Sequence, residues 1–191
     1  MTSILVVCSG NICRSPMAEG LLRHAMEGRS GLHVPSIRSA GTIAMEGTPA
    51  TREAITAARD RGVDIEAHRA RRLTDAMIGD ADLLVCMAAE HREEIDERVP
   101  EATDRTFTLK ELTRLLELDT SSGDLSGRVA AAAAARAEAG VTEADRFDED
   151  VVDPLGMPLE TYLAIAFELE EWTQRLAVGL LGPVAVSAEG P

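Results

Sequence analysis

The sequence predicts a single α/β domain with an open parallel four-stranded sheet and helices on both faces. Three observations lead to this prediction. Short apolar runs alternate with helix-forming segments, which is the order of repeated strand–helix–strand units. The clearest run is apolar almost throughout, as in strands buried on both faces of a sheet. The length of 191 residues is that of one ordinary domain able to bury its own core.

The first strand and helix are the clearest elements. Residues 3–7 (Ser-Ile-Leu-Val-Val) form an apolar, β-branched run that predicts a strand. Residues 15–26 start with Ser15, a good N-cap, followed by Pro16 at the first helical position, and predict a helix. A loop that contains glycine joins the two. A second strand is expected near 33–39.

The later elements continue the alternation. A helix is expected over 49–61, and Gly62 ends it. A strand is then predicted at 81–86, followed by a helix that ends at about 96. A short strand at 105–108 leads into a helix at 109–118, and a long amphipathic helix is predicted at 158–180. The domain is therefore expected to span 1–180.

Residues 119–150 interrupt this pattern as an acidic, alanine-rich insertion. The alanine run 130–135 favours a helix, but alanine buries little area, so we expect a surface helix in a mobile insertion. The insertion could dock a partner, although an excursion of surface chain is the simpler interpretation. Residues 181–191 are small and are predicted to form a flexible tail.

Composition excludes several classes of function. A net charge of −14 argues against binding to nucleic acid or to anionic membranes. The three cysteines form neither a disulfide framework nor a zinc-ligand spacing, which favours a reducing compartment and no metal. The N-terminus does not resemble a signal peptide, and no apolar run is long enough for a membrane span. We therefore expect a cytoplasmic protein without a cofactor.

Two segments place an arginine six positions after a cysteine that follows a strand: Cys8 to Arg14 and Cys86 to Arg92. A loop that wraps an oxyanion must turn successive backbone N–H groups inward, which requires residues such as Gly10 and Asn11 that tolerate left-handed conformations. The segment after Cys86 has no glycine and favours a helix. Cys8 is therefore the candidate nucleophile, and Cys86 is interpreted as a buried thiol at a strand end.

The predicted phosphate-binding loop after strand 1 has a consistent chemistry. Cys8 faces a helix N-terminus, where positive backbone dipoles favour the thiolate. Loop amides, together with the planar guanidinium of Arg14, can hold the non-bridging oxygens of a phosphoryl group. Ser15 can donate a hydrogen bond to the sulfur or act only as the helix cap. The residues assigned to this loop are Ser9, Gly10, Asn11, Ile12, Cys13, Arg14 and Ser15.

The run Cys-Ser-Gly-Asn-Ile-Cys-Arg-Ser-Pro-Met-Ala-Glu at 8–19 resembles the signature of the low-molecular-weight protein tyrosine phosphatases. Further matches lie at 39–42 (Ser-Ala-Gly-Thr), 68–71 (His-Arg-Ala-Arg) and Asp153-Pro154, and the resemblance covers about 3–118 and 148–180. It implies hydrolysis of phosphate monoesters, most of all phosphotyrosine in proteins, through a phosphocysteine. It also implies a network that supports the loop, formed by Asn11, Ser15, Ser39 and His68.

By position in the family, Asp153 is the general acid, which would protonate the leaving oxygen and then activate water. Independently of the resemblance, Pro154 restricts Asp153 to an extended conformation, and Gly156 frees the turn that follows. The rival carboxyl groups are those of Asp148, Glu149 and Asp150.

The substrate cleft is expected to have aliphatic walls. Many family members carry aromatic residues where this chain has Met45 and Leu155, so stacking on a phosphotyrosine ring is reduced. The arginine-phosphate phosphatases of this fold resemble the chain at 107–111, but they carry threonine in place of Ile12. Phosphotyrosine is therefore favoured over phosphoarginine.

Two other functions, and a second role for the loop cysteine Cys13, are compatible with parts of the sequence. Thioredoxin-linked arsenate reductases need two additional cysteines, and only Cys86 remains beside Cys8 and Cys13. A non-catalytic phosphate-binding module would have lost Cys8 or Asp153, and both are present. The resemblance also implies that Cys13 captures an oxidised Cys8 as a disulfide, although Cys13 could simply pack under the loop.

Overall fold

The computed structural model describes residues 2–27, 34–118, 123–139 and 149–181. In chain order its elements are β1 (Ser3–Cys8), α1 (Arg14–Glu27), β2 (Ser36–Gly41), α2 (Arg52–Asp60), α3 (Asp75–Asp80), β3 (Leu83–Cys86), α4 (Ala89–Arg98), a 3₁₀ helix (Pro100–Arg105), β4 (Thr106–Thr108), α5 (Leu109–Leu118), α6 (Leu125–Ala139) and α7 (Leu159–Leu181).

The four strands form one parallel sheet in the order β2-β1-β3-β4, which confirms the predicted fold class. Side chains of β1 alternate between two cores. Ile4, Val6 and Cys8 lie in the larger cluster, under α1, α2, α5 and α7, whereas Leu5 and Val7 lie in the smaller one, under α3 and α4. Burial on both faces explains why the strand is apolar throughout.

The boundaries differ from prediction where local capping or strand pairing decides them. β2 begins at Ser36 and extends to Gly41, because its register with β1 runs from Ser3↔Ser36 to Cys8↔Gly41. α2 begins only at Arg52, since Thr51 is its N-cap and accepts a hydrogen bond from Ala54 N. The short helix α3 and the 3₁₀ helix were not predicted, because segments of six residues carry almost no periodic signal.

The alanine run does form a helix, α6, but one side of it is not exposed. Val129 and Ala132 are buried in the larger core. Arg136 donates hydrogen bonds to the carbonyls of Thr103 and Thr106 and lies over the ring of Phe107. These contacts hold α6 against the start of β4.

Several predictions fall on residues outside the described part of the chain. They concern the rest of the 119–150 insertion at 119–122 and 140–148, and the tail at 182–191. A partner-docking role for the insertion stays a prediction. Within the described ranges, no helix combines the length and apolar character needed to cross a membrane.

Candidate active site

The loop that joins β1 to α1 lies at the carboxyl end of the sheet. It begins at Cys8, the last residue of β1, and ends at Arg14, the first residue of α1. Asn11 adopts a left-handed φ of 52°, as expected, and is the one residue other than glycine with positive φ in the described ranges. The same expectation for Gly10 is wrong, since Gly10 is not among the residues with positive φ. Its missing side chain instead leaves room for Ile12, whose Cγ1 would lie 3.3 Å from an added Cβ.

The end of β2 supports this loop from the side. Thr42 N donates to Cys8 O and Ile43 N donates to Ser9 O, both at 3.0 Å. A Cβ on Gly41 would lie 2.4 Å from Ser9 O and 2.8 Å from Asn11 N. Because both contacts are to backbone, any side chain at Gly41 would displace the loop. The glycine of the 39–42 motif is therefore required because the loop backbone lies directly against it.

Cys8 Sγ is buried and lies within reach of two donors. Asn11 N donates to the sulfur at 3.3 Å, and Ser15 Oγ lies 2.9 Å from it. Asn11 Nδ2 donates to Ser15 Oγ at 2.8 Å and to Ser39 Oγ at 2.9 Å. Since Ser15 Oγ already accepts from Asn11, its one proton is free to point at the sulfur. The Cys8 sulfur is therefore placed to accept two hydrogen bonds.

The Asn11 amide is held in turn by neighbours that the structure brings together from distant segments. Arg71 N donates to Asn11 Oδ1 at 2.9 Å, which fixes the orientation of the amide. His68 Nε2 lies 2.8 Å from Asn11 O and donates to it, because a carbonyl only accepts. Burial lowers the pKa of His68. Ser39 Oγ donates to Glu19 Oε2 at 2.6 Å. Glu19 and Arg71 lie in the motifs at 8–19 and 68–71, but their contacts with Ser39 and Asn11 were not predicted, since nothing local marks such long-range contacts.

Arg14 is buried and makes three contacts with its guanidinium. It donates to Val151 O at 3.1 Å, to Ser9 Oγ at 3.1 Å and to Asp153 Oδ2 at 2.6 Å. The Asp153 side chain is 45% exposed, so water reaches the carboxyl group. Its other oxygen, Oδ1, accepts from Leu155 N at 3.1 Å. The site therefore contains a guanidinium paired with a solvent-accessible carboxyl group, on the loop that begins with the Cys8 thiol.

The rival carboxyl groups have other surroundings. Asp150 Oδ1 accepts a hydrogen bond from Ala89 N at 2.7 Å, at the first residue of α4. Glu149 is buried. Asp148 lies outside the described residues. The carboxyl group of Asp153 forms an ion pair with Arg14.

The second cysteine–arginine match is no phosphate loop. Cys86 ends β3 and is fully buried, and burial raises the pKa of its thiol. The residues after it form α4, as its helix-forming composition predicted. Arg92 pairs with Glu111 at 2.9 Å. No strand-to-helix loop of the Cys8 kind exists here.

The third cysteine, Cys13, packs beneath the loop. Its Sγ lies 3.6 Å from both Thr51 Oγ1 and Tyr162 Oη, and burial raises the pKa of the thiol. All three cysteines are free thiols.

Apolar side chains border the loop. Ile12 is half-buried, whereas Met45 is 78% and Leu155 57% exposed. Three further aliphatic side chains on the same two segments are also exposed: Ile43, Val152 and Met157. Within the described residues, no group of three or more His, Cys, Asp and Glu side chains is arranged to hold a metal ion.

Comparison with known proteins gives consistent matches. Residues 3–121 match the family described as "Low molecular weight phosphotyrosine protein phosphatase". The probable low molecular weight protein-tyrosine-phosphatase EpsP of Ralstonia solanacearum is 44% identical over 110 residues, which are 58% of this chain and 72% of the relative. The protein-arginine-phosphatase of Geobacillus stearothermophilus is 35% identical over 174 residues, which are 91% of this chain and 93% of the relative.

Solved structures agree over nearly the whole chain. A low molecular weight protein tyrosine phosphatase from T. tengcongensis superposes with a TM-score of 0.70 at 33% identity, over 92% of this chain and 97% of that one. The YwlE arginine phosphatase from Geobacillus stearothermophilus superposes with a TM-score of 0.67 at 33% identity, over 93% of this chain and 91% of that one.

Proposed function

The chain belongs to the low molecular weight protein tyrosine phosphatase family and hydrolyses phosphate monoesters, and we propose that its substrate is phosphotyrosine in proteins. We assign the nucleophile to Cys8, phosphate binding to the loop amides and Arg14, and general acid–base catalysis to Asp153. One observation carries the assignment: Arg14 lies in the same loop as Cys8 and contacts Asp153 at 2.6 Å.

In the first half-reaction the Cys8 thiolate attacks phosphorus. A sulfur–phosphorus bond forms while the bond between phosphorus and the phenolic oxygen breaks. The bound phosphoryl group competes with Asp153 for the Arg14 guanidinium, so Asp153 separates from its cation. Protonated from solvent, Asp153 then gives its proton to the leaving oxygen.

In the second half-reaction the phosphocysteine is hydrolysed. Asp153, now a carboxylate, takes a proton from a water molecule that attacks phosphorus, and the sulfur–phosphorus bond breaks. Cys8 departs as a thiolate, which the Ser15 hydroxyl and the Asn11 N–H stabilise by hydrogen bonds. Phosphate leaves, and Arg14 can pair with Asp153 again.

Phosphotyrosine is supported by the apolar border of the loop. A phenyl ring can lie against Ile12, Met45 and Leu155 without leaving a polar group unpaired, whereas a phosphoguanidinium would leave N–H donors facing hydrocarbon. Arginine phosphatase activity is the second candidate. It is favoured by the protein-arginine-phosphatase of Geobacillus stearothermophilus, which this chain matches over 93% of that relative's length.

A matched pair of peptides that differ only in phosphotyrosine or phosphoarginine separates these candidates. We expect kcat/KM for phosphotyrosine to exceed that for phosphoarginine by at least about tenfold, the range that a few unpaired polar groups supply. Ile12→Thr should narrow the ratio, because its hydroxyl can pair with a guanidinium N–H, whereas Ile12→Val is the apolar control. Efficient phosphoarginine hydrolysis with negligible phosphotyrosine hydrolysis would reject phosphotyrosine as the substrate.

We propose that the protein works in the cytoplasm. Its three thiols are free, and catalysis as assigned requires Cys8 to remain reduced. This points to a reducing compartment.

We also propose that Cys13 protects Cys8 from irreversible oxidation. Peroxide oxidises a thiolate to a sulfenic acid, and a neighbouring thiol can displace water from it to form a disulfide. After peroxide treatment and then thiol reductant, wild type should recover most of its activity, and a Cys8–Cys13 disulfide should be visible by mass spectrometry before reduction. Cys13→Ser should recover little, since its Cys8 proceeds to the sulfinic acid. If wild type and Cys13→Ser recover the same activity, Cys13 does not protect Cys8, and its role is to pack against Thr51 and Tyr162.

A further inference from the structure

His91 is a buried titratable residue for which the reaction above has no use. It lies in the first turn of α4, and only 1% of its surface is exposed. Its Nε2 lies 2.9 Å from the hydroxyl of Ser9, the residue that follows Cys8. Its Nδ1 is buried and, within the described part of the chain, has no hydrogen-bond partner. The imidazole therefore makes its one close side-chain hydrogen bond to the phosphate loop.

The direction of the proton in this contact depends on the tautomer of His91. Arg14 can only donate, so its Nη2 donates to Ser9 Oγ at 3.1 Å. Ser9 keeps its one hydroxyl proton, which it donates to His91 Nε2 when the imidazole is neutral and carries its proton on Nδ1.

The surroundings keep His91 neutral. Burial, and next the charge of Arg14, lower the pKa of His91 to about 4. Asp153 and the backbone carbonyl of Ala88 act in the opposite direction. The carboxyl group of Glu90 lies 3.4 Å from Nε2, but its side chain is 71% exposed and solvent screens its charge. At pH values well above 4, with the imidazole proton on Nδ1, the hydrogen-bond chain runs from Arg14 through Ser9 to His91.

We propose that His91 is a positioning residue that holds the Arg14 guanidinium in place through the Ser9 hydroxyl. This inference rests on the role proposed for Arg14. The Arg14 guanidinium has two neutral acceptors, Val151 O and Ser9 Oγ, and one charged acceptor, Asp153. Asp153 must leave Arg14 in order to act as the acid. Val151 O and the Ser9–His91 pair remain, so the guanidinium keeps its orientation toward the phosphoryl group.

The test measures the inhibition constant Ki of inorganic phosphate against p-nitrophenyl phosphate, together with kcat and KM. We expect Ser9→Ala to raise Ki about fivefold, the effect of losing one typical hydrogen bond. His91→Gln can place its amide oxygen where Nε2 lies, and should stay within about twofold of wild type. His91→Asn places its oxygen nearer the Nδ1 position, so its Ki should rise as in Ser9→Ala.

Coupling between the two residues is the decisive readout. If His91 acts through Ser9, the double variant Ser9→Ala/His91→Asn should lose no more than about fivefold in total. Independent effects would multiply to about 25-fold and would overturn the proposal. So would equal Ki values for His91→Gln and His91→Asn, each with an unchanged thermal unfolding midpoint. If His91→Asn fails to fold, Ser9→Ala against Ser9→Thr, which keeps the hydroxyl, still decides whether that hydroxyl positions Arg14.

The variant Arg14→Ala separates a failure of this inference from a failure of the proposed site. If Arg14→Ala leaves the affinity for inorganic phosphate unchanged by calorimetry, Arg14 does not bind phosphate and its proposed role fails. If Arg14→Ala weakens binding strongly while the Ser9 and His91 variants bind like wild type, only the positioning role is lost.

Discussion

Cys8→Ser should lower turnover of p-nitrophenyl phosphate by at least about a thousandfold, as expected when a covalent nucleophile is removed. A serine hydroxyl remains protonated at neutral pH. The described neighbours of this position, Ser15 Oγ and Asn11 N, donate hydrogen bonds that stabilise an anion rather than accept a proton. Binding of inorganic phosphate should survive, because the loop amides and Arg14 are unchanged. Steady-state kinetics and calorimetry measure the two quantities separately.

Cys86→Ser is the matched control, since Cys86 also ends a strand six residues before an arginine. It should retain most of the activity, although replacement of a fully buried thiol can lower the unfolding midpoint. If Cys86→Ser were inactive and Cys8→Ser active, the nucleophile would be Cys86, and the assignment to Cys8 would be rejected.

Asp153→Asn should lower kcat on a phosphotyrosine peptide about 100- to 1,000-fold, within the range of general acid catalysis. The amide keeps the shape of the side chain and can still accept from Leu155 N, but it has no acidic proton to give. The loss should shrink for an aryl phosphate with an acidic phenol, because its leaving oxygen needs less protonation. Comparison of kcat across phenols of increasing acidity measures this dependence.

Asp150→Asn is the control for Asp153, as a carboxyl group three positions away with a different contact. Its Oδ1 accepts from the first residue of α4, a role that asparagine performs nearly as well. Activity within a few-fold of wild type is expected. Equal losses of Asp153→Asn on poor and good leaving groups would show that Asp153 supports the loop instead of protonating the leaving oxygen.

The fold was predictable because its signals are local. The apolar run of β1 reflects burial between two cores. The predicted segment 15–26 lies within α1, but the helix begins at Arg14, so the expectation that Ser15 is its N-cap and Pro16 its first residue is wrong. The choice between Cys8 and Cys86 was also local, since it depends on whether the following residues form a helix. By contrast, the burial of one side of α6 depends on hydrogen bonds from Arg136 to carbonyl groups about 30 residues earlier in the chain. Composition does not reveal such contacts.

The surroundings of the loop were less predictable because they come from distant segments. Ser39 and His68 entered only through the family resemblance, and their contacts with Asn11 span 28 and 57 residues. Glu19 and Arg71 lie within the motifs at 8–19 and 68–71, but no role was assigned to either, and His91 carried no signal at all. A glutamate or histidine on a helix is usually solvated, and only the packed structure shows that these side chains are turned toward the loop.

Passage of phosphorus through the Cys8 sulfur is tested most directly by trapping the phosphoenzyme. Asp153→Asn should be mixed with p-nitrophenyl phosphate, whose first step depends least on the acid, so that slow hydrolysis lets the intermediate accumulate. After a rapid quench, mass spectrometry of the peptide that contains residues 3–14 should find one phosphate, and fragmentation should place it on Cys8 rather than Cys13. Phosphate on another residue, or continued turnover by Cys8→Ser, would contradict the phosphocysteine assigned to Cys8.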